Sequence, residues 1–142
     1  MTYKAKSLLE LPFISKQLIN QIGKKRVVAV NAEMGAGKTT LIKHLIKRLS
    51  PDDFSGSPTY AIANEYESYD KKKICHLDLY RIKNIQELYD IGIEHYLENY
   101  QYCFIEWPEI SVPFFPNDTF WLYIRIEEDQ SRTIQIKNDH KS

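Results

Sequence analysis

The stretch that most constrains the fold of this chain is Asn31 to Thr40, which reads NAEMGAGKTT. A short apolar run, Val27 to Val30, comes directly before it. Apolar residues then recur at helical spacing, at Leu41, Ile42, Leu45, Ile46 and Leu49. The apolar run is typical of a buried strand and the later spacing of an amphipathic helix. The glycine-rich stretch is therefore predicted to join a strand to a helix, which is the position and composition of a phosphate-binding P-loop.

The residues of this turn suit the dense negative charge of a polyphosphate. Gly35 and Gly37 can adopt backbone angles closed to other residues, which lets successive N–H groups point at phosphate oxygens. A helix that begins near Lys38 adds free N–H groups and the positive end of its dipole. Lys38 supplies a charge for the outer phosphates, and Thr39 a hydroxyl for a bridging magnesium ion. The predicted nucleotide-binding residues of the loop are Met34, Gly35, Ala36, Gly37, Lys38, Thr39 and Thr40.

One position departs from the usual P-loop spacing, G-x-x-x-x-G-K-[ST], because Ala32 occupies the place of the first glycine. An alanine fits there when its backbone φ is negative, so we interpret the stretch as a variant P-loop. The alternative is a glycine-rich turn between strand and helix that carries a surface lysine and binds no ligand.

Length and composition favour a globular protein and argue against two function classes. The 142 residues suit one domain, 1–142, and 43% of them are apolar. Basic and acidic side chains balance at 19 each, whereas a dedicated nucleic-acid binder usually has a basic excess. No run approaches the roughly 18 apolar residues of a membrane span, and the N-terminus lacks an apolar signal region. With isolated cysteines at Cys75 and Cys103, we expect a cytoplasmic protein without membrane contact.

Periodicity predicts further strands and helices on both sides of the P-loop. The predicted strands lie at 2–6, 27–30, 60–69, 73–80, 102–105, 119–126 and 132–137. The predicted helices lie at 8–22, from about 38 to 49, at 84–91 and at 93–99. Pro108, Pro113 and Pro116 predict an irregular stretch between two of the strands. Together these elements predict an α/β fold, a three-layer P-loop NTPase domain with a mixed parallel and antiparallel sheet.

Two acidic residues are predicted to complete the site. Glu106 directly follows the apolar strand at 102–105, and Asp78 shares the polar face of its strand with His76. A P-loop needs a carboxylate near its magnesium, usually at the end of a neighbouring strand. One of the two would hold the metal, directly or through water, and the other would orient the attacking water. The structural alternatives are a solvent-facing strand end for Glu106 and a surface carboxylate, or a partner of Arg81, for Asp78.

Several other residues have two readings each. Thr59 lies in a loop of small residues and either senses the γ-phosphate, as switch loops do, or bonds its own turn. Trp107 is either a core ring or a ring that faces a nucleotide or a partner protein. Arg81 and Arg132 are the candidates for an arginine finger within the chain. The candidates for contact with the adenine are residues 7–11 and the C-terminal hairpin.

Six motifs follow one another along the chain: G-A-G-K-T-T, S-P-T-Y, N-E-Y, H-L-D-L-Y-R, E-L-Y-D-I-G and I-E-W-P-E. In this order, from about Val27 to Glu109, the chain strongly resembles the TsaE family, also called YjeE. Ala32 departs from the glycine usual in that family. The resemblance implies a bacterial ATPase required for making threonylcarbamoyladenosine in tRNA, at the adenosine beside the anticodon. It also implies work with the transferase TsaD and its relative TsaB. The balance of 19 basic and 19 acidic residues indicates that any contact with tRNA is indirect.

The resemblance also implies roles for individual residues. By motif match, the glycine-rich loop and Lys38 bind the phosphates of ATP, and Thr39 and Glu106 are magnesium ligands. Asp78 would belong to the catalytic or metal shell, and Trp107 would lie near the nucleotide or the partner surface. We therefore predict slow, magnesium-dependent hydrolysis of ATP to ADP, in which the catalytic residues are Lys38, Asp78 and Glu106.

Two other functions use the same loop and remain open at this stage. A small-molecule kinase would transfer the γ-phosphate to an acceptor, but the chain after the P-loop is short of an acceptor-binding insert and an arginine-rich lid. A nucleotide-gated docking module would bind its partner in the ATP state, and its hydrolysis would be incidental.

Overall fold

A computed structural model describes residues 1–33, 35–52 and 63–137 of the chain. Its strands are β1 (Thr2–Ala5), β2 (Val27–Ala32), β3 (Ala63–Glu67), β4 (Lys73–Asp78), β5 (Tyr102–Glu106), β6 (Phe120–Ile126) and β7 (Arg132–Lys137). Its α-helices are α1 (Leu11–Ile22), α2 (Lys38–Leu49), α3 (Ile85–Ile91) and α4 (Ile93–Asn99). Two 3-10 helices span Leu8–Glu10 and Pro108–Phe114. Two of the predicted site residues, Met34 and Thr59, lie outside the described residues.

The strands form one seven-stranded sheet in the order β1-β7-β6-β2-β5-β4-β3. The central strand, β2, pairs in parallel with β5 on one side and β6 on the other. β4 is parallel to β5, whereas β3, β7 and β1 pair antiparallel to their neighbours. The prediction of an α/β fold with a mixed sheet is therefore confirmed.

The sheet is covered by helices on both faces, which makes three layers. On one face α1 and α2 pack over a cluster that includes Leu18, Val28, Leu45, Phe104 and Leu122. On the other face α3 and α4 pack over a cluster that includes Cys75, Leu88, Ile93, Cys103 and Ile105. β2 is buried on both faces, and this double burial explains why its sequence is a continuous apolar run rather than an alternating one.

β4 differs from the expectation of one apolar and one polar face. Ile74 through Leu77 are all buried, because β4 lies between β3 and β5 with helical layers on both sides of the sheet. His76 is therefore a core residue with 4% of its surface exposed. Only Asp78, at the end of the strand, reaches solvent on that face.

The proline-rich stretch after β5 is more regular than predicted, because Pro108–Phe114 forms a 3-10 helix. Pro108 stands at its first position, where a missing N–H costs no hydrogen bond. The Ser111 hydroxyl donates to the Pro108 carbonyl at 2.8 Å inside the same helix.

The start of α3 is capped by side-chain hydrogen bonds. The Asn84 side chain accepts a hydrogen bond from the Glu87 N–H at 3.0 Å, and the Glu87 carboxylate accepts one from the Lys83 N–H at 2.9 Å. We expect Asn84→Ala to lower the free energy of unfolding by about 1 kcal/mol, measured by urea denaturation. Asn84→Asp keeps an acceptor at the cap and serves as the control. Equal stability of the alanine variant and the wild type would contradict this role.

None of the helices in the described residues combines the length and the apolar character needed to cross a membrane.

Candidate active site

The glycine-rich turn connects the C-terminal end of β2 to the start of α2. Gly35 has a φ of 81° and Gly37 a φ of 90°, both in the left-handed region that favours glycine. No atom of the described residues lies within 4 Å of the point where a Cβ would stand on either glycine. The backbone therefore borders open space on this side, into which a ligand can approach closely.

The first turn of α2 faces the same end of the sheet. Gly37 caps the helix without a side-chain hydrogen bond, and the first turn carries no acidic residue. The Leu41 N–H bonds the Gly37 carbonyl at 3.0 Å, which leaves the N–H groups of 38–40 without acceptors inside the helix. Free N–H groups and the positive end of the helix dipole together favour an anion at this position.

The structure brings Thr39 and Glu106 into direct contact. The Thr39 hydroxyl donates to Oε1 of Glu106 at 2.6 Å, although the two residues are 67 positions apart. The other carboxylate oxygen, Oε2, lies 2.5 Å from Nε2 of His76. Glu106 is 2% exposed and His76 is 4% exposed, so this carboxylate is enclosed by its partners at the base of the P-loop.

Several groups around Glu106 act on its pKa. Burial raises the pKa, because it penalises the charged form. The hydrogen bond and charge of His76, the hydrogen bond from Thr39 and the charge of Lys38 act in the opposite direction. Together they outweigh burial and hold the pKa of Glu106 below its usual value. The side chain is therefore an ionised acceptor at neutral pH.

Lys38 and Trp107 contact each other beside this carboxylate. The Lys38 ammonium lies 4.2 Å from the centroid of the Trp107 ring, and Lys38 is 8% exposed. The Tyr80 ring packs on Trp107 at 5.0 Å between centroids. Trp107 is held at a φ of 55°, an uncommon conformation for a bulky residue and one that clusters at functional sites. The structure thus places Trp107 at the P-loop lysine.

Asp78 lies at the same edge of the sheet and pairs in register with Glu106 across β4 and β5. It is exposed, and its Oδ1 accepts a hydrogen bond from the Tyr80 N–H at 3.1 Å. The structure therefore brings Asp78 next to Glu106, but its carboxylate is engaged with its own turn rather than with Thr39.

The two arginine candidates have different surroundings. Arg132 donates from Nε to the Ala36 carbonyl at 3.1 Å, inside the P-loop turn. It also borders a cavity of about 190 Å³ beside that turn, lined among others by Leu8, Leu11 and Gln130. Arg81 is exposed in the turn after β4. The structure thus joins Arg132 to the P-loop, and within residues 1–33, 35–52 and 63–137 it shows no such contact for Arg81.

Two residues of the site, His76 and Glu109, were not predicted to be functional from the sequence. His76 contacts Glu106. The feature of the sequence that could have indicated this role is its position two residues before Asp78, on the same face of the strand. Glu109 accepts a hydrogen bond from the Asn31 side chain at 2.8 Å, which ties the start of the P-loop to the segment after β5. Glu109 carried no separate signal, because this contact joins residues 78 positions apart.

The donor set fits a magnesium ion bound together with phosphates. Mg²⁺ prefers oxygen ligands and is usually held by one or two protein groups plus phosphate and water. Thr39 and Glu106 offer a hydroxyl and a carboxylate oxygen at one point. In residues 1–33, 35–52 and 63–137 no group of three or more His, Cys, Asp or Glu side chains could form a protein-only metal site.

Fold and site together define a three-layer α/β protein of the P-loop-like class. A crystal structure of Bacillus subtilis YdiB has the same fold, with a TM-score of 0.76 and 21% identity over 96% of this chain and 83% of that one. A family model described as "Threonylcarbamoyl adenosine biosynthesis protein TsaE" matches residues 5–134. The chain belongs to this family, whose members are involved in tRNA threonylcarbamoyladenosine biosynthesis.

Individual relatives agree with this assignment. The Haemophilus influenzae tRNA threonylcarbamoyladenosine biosynthesis protein TsaE is 34% identical over 110 residues, which cover 78% of this chain and 68% of the relative. The Rickettsia bellii protein with the same description is 30% identical over 115 residues, which cover 80% of this chain and 78% of the relative.

Proposed function

We propose that this chain binds ATP and Mg²⁺ at its P-loop and hydrolyses the ATP in support of threonylcarbamoyladenosine modification of tRNA. The observation that carries the proposal is the 2.6 Å hydrogen bond between Thr39, in the first turn of α2, and Glu106, at the end of β5. This contact sets a P-loop hydroxyl and a buried carboxylate at one point beside an open glycine turn, which is the arrangement that nucleotide hydrolysis at a P-loop requires.

The phosphates of ATP would occupy the open space in front of Gly35 and Gly37. Backbone N–H groups at the start of α2 would bind the phosphate oxygens. Lys38 would leave the Trp107 ring and place its ammonium on the outer phosphates. Because the backbone donors are fixed before ATP arrives, they would stabilise the charge that develops during phosphoryl transfer without first having to reorganise.

Thr39 and Glu106 would hold the magnesium ion. When bound, Mg²⁺ would neutralise part of the negative charge of the phosphates. Glu106 has its two oxygens bonded to Thr39 and His76, so we assign it to the metal. Asp78 is exposed at the adjacent position, so we assign it the orientation of the attacking water.

The cavity beside the P-loop would hold the base of ATP. It is lined by apolar side chains of the N-terminal segment and of the C-terminal hairpin, including Leu8, Leu11, Ile124 and Ile134. Ala36 and Gly37 of the P-loop also border it. A flat aromatic base suits such a mainly apolar wall, and this placement agrees with the sequence-based guess for the adenine.

TsaD and TsaB are the proposed protein partners. The chain exposes Tyr80, whose ring packs on Trp107, and it exposes Ile85 and Tyr89 on α3. Exposed aromatic side chains are enriched at protein interfaces. Contact with tRNA would be indirect, because basic and acidic residues balance at 19 each. The work would take place in the cytoplasm.

The test is the release of phosphate from Mg-ATP by the purified chain, alone and with TsaB and TsaD added. We expect slow release that rises when the partners are present, with Lys38→Ala as the inactive control. No change on adding the partners, together with ATP consumption that needs a small-molecule acceptor, would contradict the proposal and favour a kinase.

A nucleotide-gated docking module is the second candidate, and the exposed Tyr80 ring that packs on Trp107 favours it. Glu106→Gln is expected to bind ATP and to dock on the partners but not to turn ATP over. If this variant docks and fails to support modification, hydrolysis is part of the function. If it docks and supports modification fully, hydrolysis is incidental and the docking module is the better description.

A further inference from the structure

We propose that His76 is a positioning residue that fixes the Glu106 carboxylate in the orientation required for magnesium. This inference rests on the proposed function, because it assigns to His76 a task at the same metal site. His76 itself would touch neither the metal nor the nucleotide.

The two oxygens of Glu106 have separate partners. Oε1 accepts from the Thr39 hydroxyl at 2.6 Å, and Oε2 lies 2.5 Å from Nε2 of His76. A carboxylate that binds Mg²⁺ has no proton to donate, so in the proposed site Nε2 of His76 is the donor of this contact. Thr39 would also bind the metal, whereas His76 would contact only the Glu106 carboxylate.

The surroundings of the imidazole keep it in this place. His76 lies inside β4, and Glu106 ends the neighbouring parallel strand, so their backbones are tied by the sheet. With 4% and 2% of their surfaces exposed, neither side chain can turn towards solvent. A ligand held this way loses little freedom when a metal binds, and outer partners of this kind orient metal-binding side chains in general.

The second ring nitrogen of His76 distinguishes this residue from an ordinary core histidine. Nδ1 is buried and has no hydrogen-bond partner among the described residues. Buried polar atoms in proteins are nearly always hydrogen-bonded, and an exception calls for an explanation, of which a role at a functional site is one. In His76 the polar contact is directed at Glu106 and at no other described side chain, which is the arrangement expected of a residue kept for the carboxylate.

The experiment measures ADP binding by calorimetry in the full chain, once with Mg²⁺ and once with EDTA. The ratio of the two affinities reports the metal site without any turnover. His76→Leu removes the hydrogen-bond donor. For this variant we expect an unchanged affinity for ADP in EDTA. The factor by which Mg²⁺ increases the affinity for ADP should fall by roughly 10–100-fold. His76→Gln offers an amide N–H in place of the imidazole N–H and should restore most of the ratio.

The outcomes separate this inference from the proposed function. If the wild-type protein binds ADP equally with and without Mg²⁺, both the proposed magnesium site and the proposed role of His76 are wrong. A normal wild type and a His76→Leu variant that keeps the full magnesium ratio would overturn the role of His76 alone. Thermal melts check folding, and if His76→Leu does not fold, His76→Met is measured by the same criterion. A structural role alone would lower the melting temperature and leave the ratio unchanged.

Discussion

Replacement of Lys38 by alanine is expected to lower the rate of ATP hydrolysis by roughly 10²–10³-fold, the usual loss when one preorganised electrostatic group is removed. The Lys38 ammonium stands at the start of α2 and next to Trp107. It is nearly enclosed, with 8% of its surface exposed. Its charge is therefore less screened than that of a surface lysine. The measurement is phosphate release at saturating Mg-ATP.

A matched control lies on the same helix. Lys47 is exposed in the last turn of α2, so Lys47→Ala removes the same charge without touching the P-loop. We expect its hydrolysis rate to equal that of the wild type. Circular dichroism shows whether each variant is folded. A folded Lys38→Ala protein that hydrolyses ATP as fast as Lys47→Ala would remove Lys38 from the catalytic residues.

Replacement of Phe104 by alanine is expected to lower the free energy of unfolding by about 3–5 kcal/mol. Phe104 lies in the middle of β5, is fully buried and belongs to the cluster beneath α1 and α2. Truncation removes its buried surface and leaves a cavity that sheet neighbours on both sides cannot fill. Since small proteins are stable by only about 5–15 kcal/mol, this one change threatens the fold.

The control for this variant is a phenylalanine at the surface. Phe13, in α1, has 66% of its surface exposed, so Phe13→Ala should change stability by less than about 0.5 kcal/mol. Urea denaturation of both variants gives the comparison. Similar unfolding midpoints for Phe104→Ala and Phe13→Ala would contradict the central position of Phe104 in the core.

The sequence predicted the elements of the fold because each carries a local period or a turn residue. Val27 to Val30 are apolar on both faces because β2 is the central parallel strand. α2 repeats its apolar residues at three and four, because one side packs on the sheet. Asn84 caps α3, and an asparagine directly before a helical pattern is a local signal of a helix start. Such patterns depend on a few neighbouring residues and are legible without knowledge of the tertiary structure.

The contacts of the site were less predictable, because they join residues that are distant in sequence. The pairing of His76 with Glu106 depends on how β4 aligns with β5, and alternation along β4 alone suggested a polar face. The bond from Arg132 to the Ala36 carbonyl spans 96 positions. The P-loop motif indicates Lys38 and Thr39, and the end of an apolar strand indicates Glu106. Neither pattern contains the distances between these side chains.

The parts of the site that surround β2 in the sheet are synthesised at different times during translation. The glycine turn emerges early, whereas both strands that flank β2, β5 and β6, come much later in the chain. Glu106 follows Thr39 by 67 residues. A nascent chain that ends before β5 therefore has the turn for phosphates and lacks the carboxylate that faces it. The proposed hydrolysis can begin only after translation has passed both strands and the sheet has closed around β2, so incomplete chains would not consume ATP.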